Sequence, residues 1–199
     1  MKTLIYFDQS KLMKKMDNYQ KTKVPQALSK TMNKMVYSVQ QKLRADIDKY
    51  VDGGATPWTK SSIIYSQSSP TFLFASVYAE GNRPYMKTII RGGTVTPLKN
   101  NKALLQPVAI KVNKYGNIPR NAIKTRAARS HLYFIGSPGN RPTGLYRRYK
   151  SKKKPELVVM MDNKSRYQKA IFPATRIAKG IVNRSYRNEF KKQMQRASF

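Results

Sequence analysis

Asp46, Asp48 and Asp52 are the densest group of carboxylates in the chain, and paired carboxylates would suit acid–base work or metal binding. Their spacing argues against both. Residues two apart on a helix point in different directions, which separates Asp46 from Asp48, and Asp48 shares a face with Asp52 only at a helix end, where the backbone dipole disfavours negative charge. The run ending in Asp52-Gly53 also lacks the alternating oxygen ligands and closing Glu of a calcium loop. A two-metal nuclease is therefore not expected. His131 is the sole histidine and precedes the apolar Leu132-Tyr133-Phe134, so it reads as structural rather than as part of a triad. Arg91-Gly92-Gly93-Thr94 lacks the glycine spacing of phosphate-binding and dinucleotide-binding loops. Without cysteine, thiol nucleophiles, thiolate metal sites and disulfides are excluded, which suits assembly in a reducing cytoplasm. The expectation is no enzyme, no cofactor, no metal and no small-molecule substrate.

What remains is the chemistry of cations. Lys plus Arg number 40 against 9 Asp plus Glu, a formal charge of +31. Such a chain repels itself, and the usual resolution is a polyanion whose phosphates neutralise the charge and release counterions. Two segments concentrate it. Arg147-Arg148-Tyr149-Lys150-Ser151-Lys152-Lys153-Lys154 reads as a hairpin tip projecting charge, and Lys124, Arg126 and Arg129 lie in a basic stretch before it. These nine cations are the candidate contacts for nucleic acid or an acidic partner; a solvated tip and loop are the alternative. No helix-turn-helix, zinc finger or aromatic RNA-binding motif stands out, so any DNA contact would be to the backbone and independent of sequence.

The elements that must carry these residues follow from hydrophobic periodicity. Residues 1–22 read as an arm with a short strand at its apolar start. From Val24, with Pro25 in the first turn, Leu28, Met32, Met35, Val36, Val39, Leu43, Ile47 and Tyr50 recur at helical spacing, ended by Gly53-Gly54. That stripe is a packing seam. An irregular Pro57-Trp58 turn follows, with Trp58 expected to cap the core, stacking on a base being the alternative. Ser62–Tyr65 and Thr71–Ala79 predict a hairpin; residues 80–130 predict an excursion with a strand-like Val108–Val112 and a turn at Asn113–Asn117; His131–Ile135, Gly144–Tyr149 and Leu157–Met161 predict further strands. Gly-Asn-Arg-Pro at 81–84 and 139–142 is turn chemistry. A second amphipathic helix opens at Pro173, reading as a packed element rather than a membrane-surface one. No secretory leader is expected, and no window reaches the roughly 18 apolar residues of a membrane span. The fold class expected is α+β: an antiparallel sheet of about four to six strands packed by a long N-terminal helix and a C-terminal helix, forming one domain over 23–199 with extended loops and an arm.

Val24-Pro25-Gln26-Ala27-Leu28 opening a long helix, the strand Gly144-Leu145-Tyr146-Arg147-Arg148, and Arg166-Tyr167 leading to Phe172-Pro173-Ala174 together resemble the phage minor tail protein Z family, over roughly residues 20 to 197. Element order and basicity carry the likeness more than any single match. The resemblance implies a tail-completion protein of the head–tail junction, located in the virion after assembly in the host cytoplasm. Its partners would be other tail and neck subunits, further copies of itself in a ring, and dsDNA phosphates, with no membrane. Charge alone fits a free nucleic-acid-binding protein of ribosomal or chromatin type equally well.

Overall fold

The computed structural model describes residues 9–81, 83, 85–97, 103–150 and 154–197. In chain order they form α1 (Gln9–Asn18), a π-helical segment (Tyr19–Lys23), α2 (Val24–Asp46), a 3-10 turn (Ile47–Lys49), α3 (Pro57–Ser61), β1 (Ile63–Ser66), β2 (Ser76–Ala79), α4 (Tyr85–Arg91), β3 (Gly93–Val95), β4 (Leu104–Pro107), α5 (Ala122–Ala127), β5 (Tyr133–Gly136), β6 (Gly144–Arg147), β7 (Glu156–Asp162), β8 (Ser165–Tyr167) and α6 (Ala174–Ala197). The protein is α+β, with a long N-terminal helix, a C-terminal helix and antiparallel sheets, one of four strands. It separates into two compact units. Of the described residues, one unit holds those of 9–45, 61–80 and 174–197, and the other those of 46–60 and 81–173.

In the first unit, Met35, Val39 and Leu43 recur every fourth residue along α2 and are buried, as the periodicity requires. The start of the helix corrects the sequence reading. Gln9–Asn18, placed in an arm, is helical, and Pro25 does not open a helix but follows a π turn in which the Val24 N–H reaches back to the Tyr19 carbonyl. Proline has no N–H and its ring crowds the carbonyl four residues back, and the wider π turn relieves that clash. The short strand expected at the apolar start lies outside the described residues.

β1 and β2 pair antiparallel, Ile63 opposite Ala79 and Ser66 opposite Ser76. β2 starts later than Thr71 because Ser69 and Phe72 exchange backbone hydrogen bonds and fold Thr71–Ala75 into the loop. Side chains of α2 hold the hairpin. Gln40 Nε2 and Arg44 Nε donate to the Ile63 carbonyl at 3.0 and 3.1 Å. Ser29 Oγ and Asn33 Nδ2 donate to the Ser68 carbonyl, each at 3.0 Å, while the Ser68 N–H donates to Asn33 Oδ1 at 2.7 Å. On α6, Ile177, Ile181, Tyr186, Phe190 and Met194 are half-buried, and Gln193 is the buried residue of that helix.

In the second unit, the Pro-Trp segment is a short helix rather than an irregular turn. Thr56 caps it: the Thr59 N–H donates to Thr56 Oγ1 at 3.1 Å, and Pro57 takes the first helical position, where no N–H is needed. Trp58 does not cap the core. It is 55% exposed, stacked on Tyr85 at 5.7 Å with the Arg83 guanidinium 4.4 Å from its centre.

The four-stranded sheet runs β4-β7-β6-β5. The stretch 80–130 is built into the fold, since it contributes α4, β3, β4 and α5, and β4 is an edge strand of this sheet. The strand there is Leu104–Pro107, not Val108–Val112. Leu145 faces Val159 and Tyr146 faces Leu157, which leaves Val158 as a bulge; its carbonyl accepts both the Val108 and Ala109 N–H groups, and the chain bends there. One core cluster of this unit is Ile110, Leu145, Val158 and Val159, with Ala122, Ile123 and Ala127 of α5 packed against it beside Tyr133 and Met161; Ile47, Met86, Tyr146 and Phe172 are buried in the same unit. Each fully buried aliphatic side chain stabilises by about 1.5–3 kcal/mol relative to exposure.

Candidate polyanion interface

Seven of the nine cations singled out from the sequence, Lys124, Arg126, Arg129, Arg147, Arg148, Lys150 and Lys154, lie among the described residues, and all seven fall in the second unit, in two segments that the sheet joins. α5 lays Ala122, Ile123 and Ala127 on the core, which turns Lys124 to solvent and leaves Arg126 half-buried with Nη1 donating to the Ala122 carbonyl at 3.1 Å. The helix ends in a tight turn. The Arg129 carbonyl accepts the N–H groups of both Leu132 and Tyr133 at 2.9 Å, so β5 begins at Tyr133 rather than at His131. Tyr133 then stands opposite Arg147, and the Arg148 N–H donates to the Leu132 carbonyl at 2.7 Å. Exposed Arg129 and the exposed pair Arg147 and Arg148 are thereby brought to the same end of the sheet.

β6 ends at Arg147, so Arg147 and Arg148 leave on opposite faces of the strand. Each lies against a ring. The Arg148 guanidinium is 4.6 Å from the centre of Phe134, which stacks on Tyr146 at 5.5 Å; the Tyr146 hydroxyl donates to the Pro142 carbonyl at 2.7 Å. The Arg147 guanidinium is 5.3 Å from the centre of Tyr149. The Tyr149 hydroxyl donates to Glu156, which faces Arg147 across β6 and β7, and that hydrogen bond holds the phenol above its ordinary pKa. A guanidinium held over a ring face keeps N–H donors free for an oxyanion and has less side-chain freedom left to lose on meeting one.

Lys150 and Lys154 are exposed on the connection between β6 and β7; Lys152 and Lys153 lie outside the described residues. No pattern in the sequence singles out Arg141, whose Nη1 donates to the Pro155 carbonyl at 2.7 Å and ties down the return of the tip. Phe134, Tyr149 and Glu156 escape sequence reasoning as well. An aromatic beside Arg147-Arg148 is a visible cue for Tyr149, whereas Phe134 and Glu156 become neighbours only through strand register.

Two of the three aspartates weighed for chemistry are held by local contacts, and Asp52 is exposed. Asp46 is buried and paired with Lys49 at 2.8 Å. Asp48 accepts the Ala55 N–H at 2.9 Å and the Lys60 ammonium at 2.5 Å, which hold its carboxyl below the ordinary aspartate range. No cluster of metal-ligating side chains occurs among the described residues, and no helix among them is long and apolar enough to cross a membrane. The arrangement is a set of exposed cations, two of them held against aromatic rings. No family model, curated protein or solved structure matches the chain.

Proposed function

We propose that this chain is a structural virion protein of a tailed phage, a tail-completion component near the head–tail junction, that meets DNA phosphates through the basic end of its four-stranded sheet. The supports are the +31 charge, the resemblance of residues 24–28 and of the β6 segment to the phage minor tail protein Z family, and the meeting of α5 and β6 at one end of the sheet. The observation that supports the DNA contact is the Tyr133–Arg147 register, which brings Arg129, Arg147 and Arg148 to the same end of the sheet. Contact of this kind positions a backbone without reading bases.

Fluorescence anisotropy with a labelled duplex, read across a salt series, tests the contact. Replacing Arg129, Arg147 and Arg148 by Gln should flatten the plot of log K against log salt by up to about 0.9 for each phosphate no longer neutralised, and replacing Lys152, Lys153 and Lys154 gives the same reading for the tip. An unchanged slope in both variants rules the interface out. Cryo-electron microscopy of purified particles tests the location, and a chain found on ribosomes or bulk RNA instead of particles favours a free nucleic-acid-binding protein.

A further inference from the structure

We propose that the β1–β2 hairpin is the surface through which two copies of this chain associate, by pairing of their β2 edges and mutual covering of their Phe72-Leu73-Phe74 loops. This association is independent of the DNA contact and stands if that contact fails.

Three observations converge on this hairpin. Ser61–Ala79 contains no charged residue, although charged residues make up 25% of the chain, and it is the longest such run in the sequence. Its loop displays Phe72, Leu73 and Phe74 at 67%, 41% and 56% exposure, with Tyr78 of β2 at 48%. The display is built rather than slack, since Ser29 and Asn33 grip Ser68, the Phe72 N–H donates to Ser69 Oγ at 3.0 Å, and the two Phe rings lie 5.9 Å apart.

The third observation is the strand edge. Among the described residues no strand lies beyond β2. The Glu80 N–H bonds to the Ser62 carbonyl, so the alternation of an antiparallel ladder turns the N–H and C=O groups of Val77 and Ala79 away from β1. Ile63 has the same phase: its carbonyl faces away from β2 and is taken by Gln40 and Arg44. Edge strands that must stay unpaired are ordinarily blunted by charge, proline or a bulge, and Ser76-Val77-Tyr78-Ala79 has none of these.

Charge selects the occupant. A polyanion or an acidic protein finds no cation on this run, whereas a second copy carrying +31 is repelled wherever both surfaces are charged. Two uncharged hairpins can approach without that opposition. Antiparallel pairing of identical edges about a two-fold axis is self-complementary, and it joins two-stranded hairpins into one four-stranded sheet.

Sedimentation velocity on the full chain, over a range of protein concentrations at low and at high salt, tests this. A dimer should form and should strengthen with salt, because screening shortens the repulsion between copies. DNA binding moves the opposite way with salt, so the two proposals fail separately. Val77→Pro removes an outward N–H without touching the β1 ladder, and the double variant Phe72→Ser, Phe74→Ser removes exposed rings only; each should abolish the dimer while keeping the parent circular dichroism. Should Val77→Pro misfold, the loop variant decides alone. A monomer at every concentration and salt, or a dimer that survives the loop variant, overturns the proposal. So does a dimer that dissolves as salt rises, which is a polyanion bridge, or flotation with neutral phosphatidylcholine vesicles that depends on Phe72 and Phe74, which is lipid binding.

Discussion

Lys34 on α2 and Glu189 on α6 stand 155 positions apart in the chain, and the ammonium meets the carboxylate at 2.7 Å. Glu189 also accepts Gln193 Nε2 at 2.7 Å, and its side chain is only 11% exposed. These two donors, Lys34 foremost, hold the carboxyl below the ordinary glutamate value of 4.5. A lowered folded pKa means that the ionised form stabilises the fold fully above 4.5 and that the contribution fades as pH falls towards the folded value. Glu189→Gln keeps the shape and an acceptor for Gln193 but not the charge. Its urea midpoint should lie below the parent's at neutral pH, and the gap should close under acid conditions. An equal gap at both pH values would assign the loss to packing.

Gly144 and Gly136 face each other across β5 and β6, yet they differ in room. A Cβ at Gly144 would strike the Val159 carbonyl oxygen and approach Leu157 Cδ1 at 2.6 Å, whereas at Gly136 the nearest atom is a Phe134 ring carbon at 3.6 Å. Gly144→Ala should therefore cost about 1–3 kcal/mol by overpacking in denaturant titrations, and Gly136→Ala much less. Equal costs would mean that β7 gives way at no expense.

Phe134→Leu removes the ring under Arg148 and leaves every charge in place. If the ring pre-orders that guanidinium for phosphate, duplex affinity should fall about two- to fivefold, the worth of one exposed cation–π contact, with the salt slope unchanged. Full affinity would show that Arg148 binds without its support, or not at all.

Thr56→Ala removes the cap of α3. The loss should be about 1 kcal/mol in thermal or urea unfolding, and Thr56→Ser should restore most of it. A failure of serine to rescue would point to the Thr56 methyl group rather than to its oxygen.

The fold was legible where one element buries one face. The α2 stripe through Met35, Val39 and Leu43 and the strands around Leu145 and Val159 follow from their apolar pattern; the helix after Pro173 is also placed by its pattern, but its apolar stripe is only half-buried, with Val182 exposed and Gln193 the buried residue. It was less legible where backbone geometry or a distant partner decides. Pro25 follows a π turn, although the same residue opens helices elsewhere. The bend after Pro107 depends on a carbonyl exposed by the bulge at Val158, which no local pattern announces. For the candidate interface, composition showed which residues are cationic, but not that Arg129 and Arg147 share one end of a sheet. That placement comes from the Tyr133 register, a long-range pairing.

The π turn at Tyr19–Lys23 sets the phase of everything before it. A π turn winds about one residue more than an α turn, so this segment behaves as a single-residue insertion in an otherwise uniform screw. Excising one residue there would let the winding close up and swing Met13 and Met16, now 70% and 54% exposed, by roughly a quarter revolution against the seam of Met35 and Val39. The azimuth at which the leading helix presents its methionines is thus governed by a one-residue offset in its shaft.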